Sequence, residues 1–259
     1  MKRREVHLAA ARGFELGAQT YARGRPDFPQ ALDSWLGDSL QLGAGRTVLD
    51  LGAGTGKMTR LLVQTGADVI AAEPVDSMRA ILVRDLPAVR TLRASAQNLP
   101  LADASLDAVV CAQAFHWFAT REALAEIRRV LKPGGVLGLV WNIRDESVDW
   151  VAQLTRIMAP HEGDAPRYYN GEWRTAFPAE GFGELRERVF PHSHVGSAEQ
   201  VIVDRVASVS FIAALDAETR ERVLDEVRAL IATTPALAGR DPVAMPYLTR
   251  VYWTRAVPF

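Results

Sequence analysis

An α/β fold on a parallel sheet is what this sequence of 259 residues predicts, and three observations predict it. Short apolar runs alternate with helical spacings from Arg46 to about Trp141, the rhythm of strand–helix–strand units. One run, Val48-Leu-Asp-Leu51, stops at Gly52, Gly54 and Gly56, a G-x-G-x-G turn opening onto Met58, Leu61, Leu62 and Thr65 at helical spacing. Farther on, Leu131-Lys-Pro-Gly-Gly135 closes a helix and Val136-Leu-Gly-Leu-Val140 begins another strand.

The elements follow in order. Residues 1–45 read as a mostly helical arm, broken at Gly24-Arg-Pro-Asp-Phe-Pro29, where Pro26 and Pro29 stop any helix. A helix from Ala31 to about Leu40 puts Leu32, Trp35, Leu36 and Leu40 on one face. Residues 46–145 form the ligand-binding core. After the glycine turn and its helix, Val69-Ile-Ala-Ala72 is a strand ending at Glu73, and the next helix turns Met78, Ile81 and Leu82 inward. A strand around Val89 to Leu92, a loop from Ser95 to Pro100 and a strong strand from Leu106 to Ala112 come next. Thr120 caps a helix whose apolar stripe is Leu124, Ile127 and Leu131, and the strand beyond Gly135 runs to about Trp141. Residues 146–259 are looser. They hold a helix from Trp150 to Met158, a polar and aromatic loop from His161 to Trp173, and a strand from Leu185 to Phe190. Helical spacing returns over Ser197 to Leu215 and Ala217 to Ile231, and Tyr247 to Val257 alternates like a final strand. The helical stretch between those two strands reads as a cap over the substrate, not as a second independent domain.

Composition narrows the function. A hydrophobic content of 48% is that of an ordinary soluble globular protein. A formal net charge of -1 argues against general binding to nucleic acid or anionic membranes, both of which need a basic surface. Lysine occurs only at Lys2, Lys57 and Lys132, so the positive charge is almost all arginine. The single cysteine, Cys111, sits in an apolar strand as a small core residue and allows no internal disulfide. No secretory region develops after Met1-Lys-Arg-Arg4, and no stretch reaches membrane-span length. A soluble, cytoplasmic protein is expected.

Chemistry belongs at the carboxyl ends of the strands, where open α/β sheets bind ligands. Asp50, two residues before Gly52, can hold a cationic amino group, and Glu73 can take both hydroxyls of a ribose. Alternatively, Asp50 caps the turn and Glu73 is a solvated strand end. Dinucleotide-binding domains use G-x-G-x-x-G, and the third glycine here comes one residue too early for that pattern. A nicotinamide-dependent oxidoreductase also needs a hydride-handling constellation, and none is visible. His192-x-His194 has a spacing metals use, but no Cys or acid cluster joins it, so these read as polar loop residues and no metal is expected.

In Val48-Leu-Asp-Leu-Gly-Ala-Gly-Thr-Gly56, the acid of Ala72-Glu-Pro74 and Leu131-Lys-Pro-Gly-Gly135, the sequence resembles the class I S-adenosylmethionine-dependent methyltransferases. The resemblance implies a Rossmann-like sheet, mostly parallel with one antiparallel strand (Tyr247 to Val257), plus a helical cap. It implies S-adenosylmethionine as cofactor, with Gly52, Ala53, Gly54 and Gly56 around its methionine portion beside Asp50. Glu73 would hold the ribose, with Pro74 and Met78 near the adenine and Ala96 and Gln97 at its rim. Acids are commoner in that third loop than the Ser95 and Gln97 found here, so a neutral hydrogen bond replaces a charge-assisted one. The segment from Phe14 to Pro29 is similar to an N-terminal signature of part of the family; it places Tyr21 and Arg25 near the methionine end, or forms a turn that anchors a lid.

The acceptor side follows from the same resemblance. Gln113-Ala-Phe-His-Trp-Phe118 ends the fourth strand, where acceptor and methyl would meet, and a similar His-Trp pair occurs in relatives of the trans-aconitate methyltransferases, which esterify small carboxylic acids. Gln113 then faces the cofactor, while Phe115, Trp117, Arg144 and Tyr168 face the acceptor. Tyr168, Tyr169 and Trp173 line that pocket or anchor their loop. His116 is the candidate catalytic residue: a base for a hydroxyl acceptor, or a brace holding Phe115 and Trp117. Arg25 and Arg144 clamp a carboxylate or are solvated. The expected activity is methylation of a small-molecule acceptor at oxygen, carboxylate or hydroxyl. Nitrogen or carbon transfer and an inactive cofactor- or partner-binding protein of the same fold are the alternatives, and oligomeric state is left open.

Overall fold

The computed structural model describes residues 25–163 and 166–258. Tyr21 and most of the N-terminal arm therefore lie outside the described residues. Seven strands form one sheet in the order β3-β2-β1-β4-β5-β7-β6. They are β1 (Thr47–Leu51), β2 (Asp68–Ala72), β3 (Arg90–Leu92), β4 (Leu106–Ala112), β5 (Leu131–Arg144), β6 (Arg186–Gly196) and β7 (Val243–Arg255). The first five pair in parallel: Leu49 faces Ile70 of β2 on one side and Val109 of β4 on the other. β7 is the antiparallel strand. Gly134 donates to the Ala256 carbonyl at one end of β5, and Asp145 donates to the Pro246 carbonyl at the other.

Helices fill the crossovers as the sequence demands. After α1 (Leu32–Asp38) come α2 (Lys57–Gln64), α3 (Asp76–Asp85), α4 (Arg121–Val130) and α5 (Asp149–Met158). Four residues of β1, Val48 to Leu51, are buried in succession, because a parallel strand with both faces covered has no polar side. The chain divides into two compact units. Of the described residues, the larger holds 28–141, 166–190 and 249–258, and the smaller holds 25–27, 142–163 and 191–248. In the larger, Leu32, Trp35, Leu36 and Leu40 pack on Val48, Val136 and Val140. Gly138 of β5 permits this close approach, since a Cβ there would meet Leu40 Cδ2 at 2.8 Å. In the smaller, Val151, Leu154 and Met158 of α5 pack with Val201, Ile202 and Val227.

Three elements differ from expectation. β5 starts at Leu131, because Leu131 pairs with Leu106 before the register shifts to Ala108 opposite Val136. β6 continues past Phe190 to Gly196, so His192 and His194 are strand residues and not loop residues. The continuous helix expected over Ser197 to Leu215 is a π-helical turn, Glu199–Val203, followed by α6 (Asp204–Ala207) and α7 (Ser210–Ala213). The last helix, α8 (Ala217–Thr233), keeps its expected place and is capped by Asp216, whose carboxylate accepts from Thr219 N–H.

Candidate active site

The glycine turn holds the site's first groups. Gly52, Gly54 and Gly56 all have positive φ, at 76°, 57° and 87°. A Cβ on Gly52 would stand 2.6 Å from the Ala114 Cβ, so the loop after β4 packs directly on the turn. A Cβ on Gly54 would meet nothing nearer than the Met78 sulfur at 3.8 Å. Glu73, at the end of β2, is 5% exposed. Its Oε2 accepts from Gly54 N–H and its Oε1 from Val75 N–H, both at 2.8 Å. The carboxylate is thus fixed between the turn and the start of α3, and each oxygen keeps a second lone pair for a ribose hydroxyl. Burial raises its pKa above the ordinary value, against the pull of those two bonds.

Asp50 is fully buried, and its Oδ2 accepts from the Thr59 hydroxyl at 2.6 Å. Its Oδ1 is buried without a hydrogen-bond partner among the described residues. Burial pushes the carboxyl up to about 7, and the nearby Glu73 charge adds to the rise while Thr59 opposes it. An orphaned acceptor of this kind fits an ammonium group, the charge that the methionine portion of S-adenosylmethionine carries. Ala53 and Met78 are buried beside the turn, Pro74 is half-buried, Ala96 is buried and Gln97 is exposed in a turn closed by the Ser95–Asn98 bridge.

The end of β4 supplies the second group of residues. Gln113 takes the left-handed conformation (φ 56°) while its N–H donates to the Val140 carbonyl of β5 at 2.8 Å. Non-glycine residues seldom adopt that conformation, and such strain gathers at functional sites. Phe115–Trp117 then forms a 3₁₀ turn, with Phe115 buried against Phe118, Trp173 and Phe177. The Trp141 indole N–H donates to His116 Nδ1 at 3.1 Å, and the Trp117 ring lies 5.0 Å from the imidazole. An indole nitrogen can only donate, so Nδ1 carries no proton and the neutral ring holds its hydrogen on Nε2.

Tyr168 lies 5.2 Å from Trp141 and 6.0 Å from Trp173, ring to ring. Its hydroxyl joins a chain on β7: the Tyr252 oxygen lies 2.8 Å from Tyr168 Oη and accepts from Arg174 Nη2 at 2.8 Å. Tyr252 itself donates to Glu187 at 2.9 Å, which leaves Tyr168 as the donor in their bond. Trp141, Tyr252 and Arg174 carried no role in the sequence reading. The pairing of Trp141 with His116 has no local signal, because 25 residues separate them and only the β4–β5 pairing joins them.

The two arginines expected at the acceptor belong to the smaller unit. Arg144, 9% exposed, donates through Nε to the Thr155 hydroxyl at 3.2 Å and through Nη1 towards the Met158 sulfur. Arg25 donates through Nη2 to the Ser208 carbonyl at 3.3 Å. Among the described residues no group of three or more His, Cys, Asp or Glu could hold a metal, and no helix is long and apolar enough to cross a membrane.

A glycine turn after β1, an acid fixed at the end of β2 and a seven-stranded sheet with one reversed strand define a Rossmann-like methyltransferase. The comparisons with known proteins agree. A family model described as a methyltransferase domain matches residues 49–139. An uncharacterised methyltransferase of Mycobacterium tuberculosis is 42% identical over 247 residues, covering 95% of each chain. An uncharacterised methyltransferase-like protein of Schizosaccharomyces pombe is 37% identical over 246 residues, 95% of this chain and 96% of its own. Among solved structures, a protein assigned as a type II methyltransferase from Anaeromyxobacter dehalogenans superposes with a TM-score of 0.71 at 25% identity, covering 91% of this chain and 99% of that one. The chain belongs to the class I S-adenosylmethionine-dependent methyltransferases.

Proposed function

We propose that the protein transfers a methyl group to an oxygen of a small-molecule acceptor, and that this oxygen belongs to a carboxylate. S-adenosylmethionine supplies an already activated methyl on a sulfonium, so the protein's work is alignment, desolvation and charge placement. Glu73 holds the ribose through the lone pairs that Gly54 and Val75 leave open, and Asp50 takes the ammonium of the methionine portion. Ala53, Met78, Pro74 and Ala96 supply apolar surface, while Gln97 and Gln113 contribute neutral polar contacts.

One observation carries the choice of acceptor: the Trp141 N–H on His116 Nδ1. A hydroxyl acceptor must lose a proton, and His116 is the one titratable side chain in the run Gln113 to Phe118. Its only proton-accepting nitrogen is engaged. An imidazole so engaged carries its proton on Nε2, and an N–H there can donate to an oxygen that arrives already ionised. His116 then orients the acceptor and does not deprotonate it. The variants separate the roles. His116→Gln keeps an N–H at the reach of Nε2 and should retain most turnover, while His116→Ala should raise the acceptor KM by about 10- to 150-fold, the loss of one hydrogen bond to a charged group. Equal losses of kcat in both variants, by roughly 10²–10⁴-fold, would instead mark a base.

A further inference from the structure

Among the described residues of the smaller unit, one buried cation lacks acceptors for two of its donors. Arg205 lies in α6, directly after the π-helical turn Glu199–Val203, and is 7% exposed. Its Nε and Nη1 are buried and have no hydrogen-bond partner among the described residues. Asp204 precedes it, but successive helix residues do not face one another. A second guanidinium comes within a turn of helix. Arg25 Nη2 donates to the Ser208 carbonyl at 3.3 Å, and the Ser208 hydroxyl donates back to the Arg205 carbonyl at 2.7 Å.

Such a charge is expensive to bury, and arginine has no escape from the expense. A buried lysine or aspartate can neutralise itself, but a guanidinium keeps its proton at any pH the fold survives. Its donors must therefore find an acceptor, and the planar fork is shaped for two parallel bonds to one oxyanion. π-Helical turns are rare and often mark functional positions, and this one sets the start of α6.

We propose that Arg205, assisted by Arg25, forms a binding site for the oxyanion group of a small molecule, a carboxylate or a phosphate. Nothing in the assignment of the cofactor or of the methylated oxygen requires this site, so it stands or falls separately from the transferase reading. Two sources have the required chemistry: an organic acid and free inorganic phosphate.

Thermal unfolding and calorimetry of the full chain test it, with citrate, phosphate and chloride compared at matched ionic strength. The wild-type protein should show saturable binding to citrate or phosphate, with the melting temperature rising by roughly 5–10 °C at ~100-fold excess over Kd. Arg205→Met should lose that response and, in chloride, should melt at or above the wild type, because a buried charge short of acceptors has been removed. Arg205→Lys should bind weakly, since the fork is gone. Saturation by citrate alone identifies an organic acid; equal saturation by phosphate identifies a free oxyanion. The proposal is overturned if wild-type protein shows only the unsaturable rise that excluded salts produce, or if Arg205→Met keeps the anion response. Should Arg205→Met not fold, the wild-type titration decides alone.

Discussion

At the scale of single residues, burial and the proposed ammonium ligand pull Asp50 in opposite directions. Its carboxyl titrates at about 7 in the folded chain against 3.8 ordinarily, so the folded state binds the proton more tightly. The sign follows: this group's stabilisation is complete below pH ~3.8 and is lost as pH rises through about 7, a change on the order of 4 kcal/mol. Asp50→Asn should therefore flatten the pH dependence of unfolding over that window and stabilise the free protein at pH 8. A bound ammonium favours the ionised form, so cofactor binding at pH 6 should release close to one proton, measurable by calorimetry in buffers of different ionisation enthalpy. The release should vanish at pH 8 and in Asp50→Asn. A proton count near zero at pH 6 would separate Asp50 from the cofactor. The glycines make a second contrast. Gly52→Ala meets the left-handed penalty of about 1–2 kcal/mol and drives its Cβ into Ala114, a further overpacking of about 1–3 kcal/mol. Gly54→Ala meets only the first and should fold near normally while losing cofactor affinity, because the backbone approach is blocked. If denaturant melts show the two variants equally destabilised, the loop after β4 does not pack on the turn as described.

At the scale of elements, α4 and the β4–β5 pair position the residues proposed to meet the acceptor. Thr120 accepts from Ala123 N–H at 3.2 Å and starts α4. Thr120→Ala should cost about 0.5–2 kcal/mol, seen as a melting temperature lower by about 2–4 °C per kcal/mol. The cross-strand bond from Trp141 to His116 predicts that nitrogen NMR finds the Nε2–H tautomer in the wild type, and a mixture of tautomers in Trp141→Phe. Elements of this kind were legible in unequal degrees. β1, the glycine turn and α2 announce themselves because the apolar period changes from strand to helix at Gly52. Thr120 stands where a cap must. By contrast, β6 beyond Phe190 carries Pro191, His192 and His194 in an alternation of exposed and half-buried positions, and no apolar run marks it. The Trp141–His116 pair and the burial of Arg205 are tertiary facts. Each depends on which elements are neighbours in space, and that condition is not written in local spacing.

For the whole molecule, the net charge of -1 and the parallel sheet leave the strand ends as the place where ligand chemistry gathers. The fold alone does not choose a reaction, and the same architecture can carry unrelated ones. Groups on the sheet edge choose the ligand. In the function proposed, Glu73 with its two backbone bonds and the short G-x-G-x-G turn select S-adenosylmethionine over a dinucleotide. Glu73→Ala should weaken S-adenosylhomocysteine by roughly 1.5–3 kcal/mol, and an analogue without ribose hydroxyls by much less. Equal losses for both ligands would remove Glu73 from ribose recognition. The central claim, carboxylate methylation from S-adenosylmethionine, is met most directly by incubating the protein with methyl-labelled S-adenosylmethionine and a metabolite extract, then following the labelled product by mass spectrometry before and after mild alkali. A labelled methyl ester, hydrolysed by alkali to labelled methanol and a free acid, is the predicted result; a label that survives alkali on an ether oxygen, a nitrogen or a carbon would contradict it.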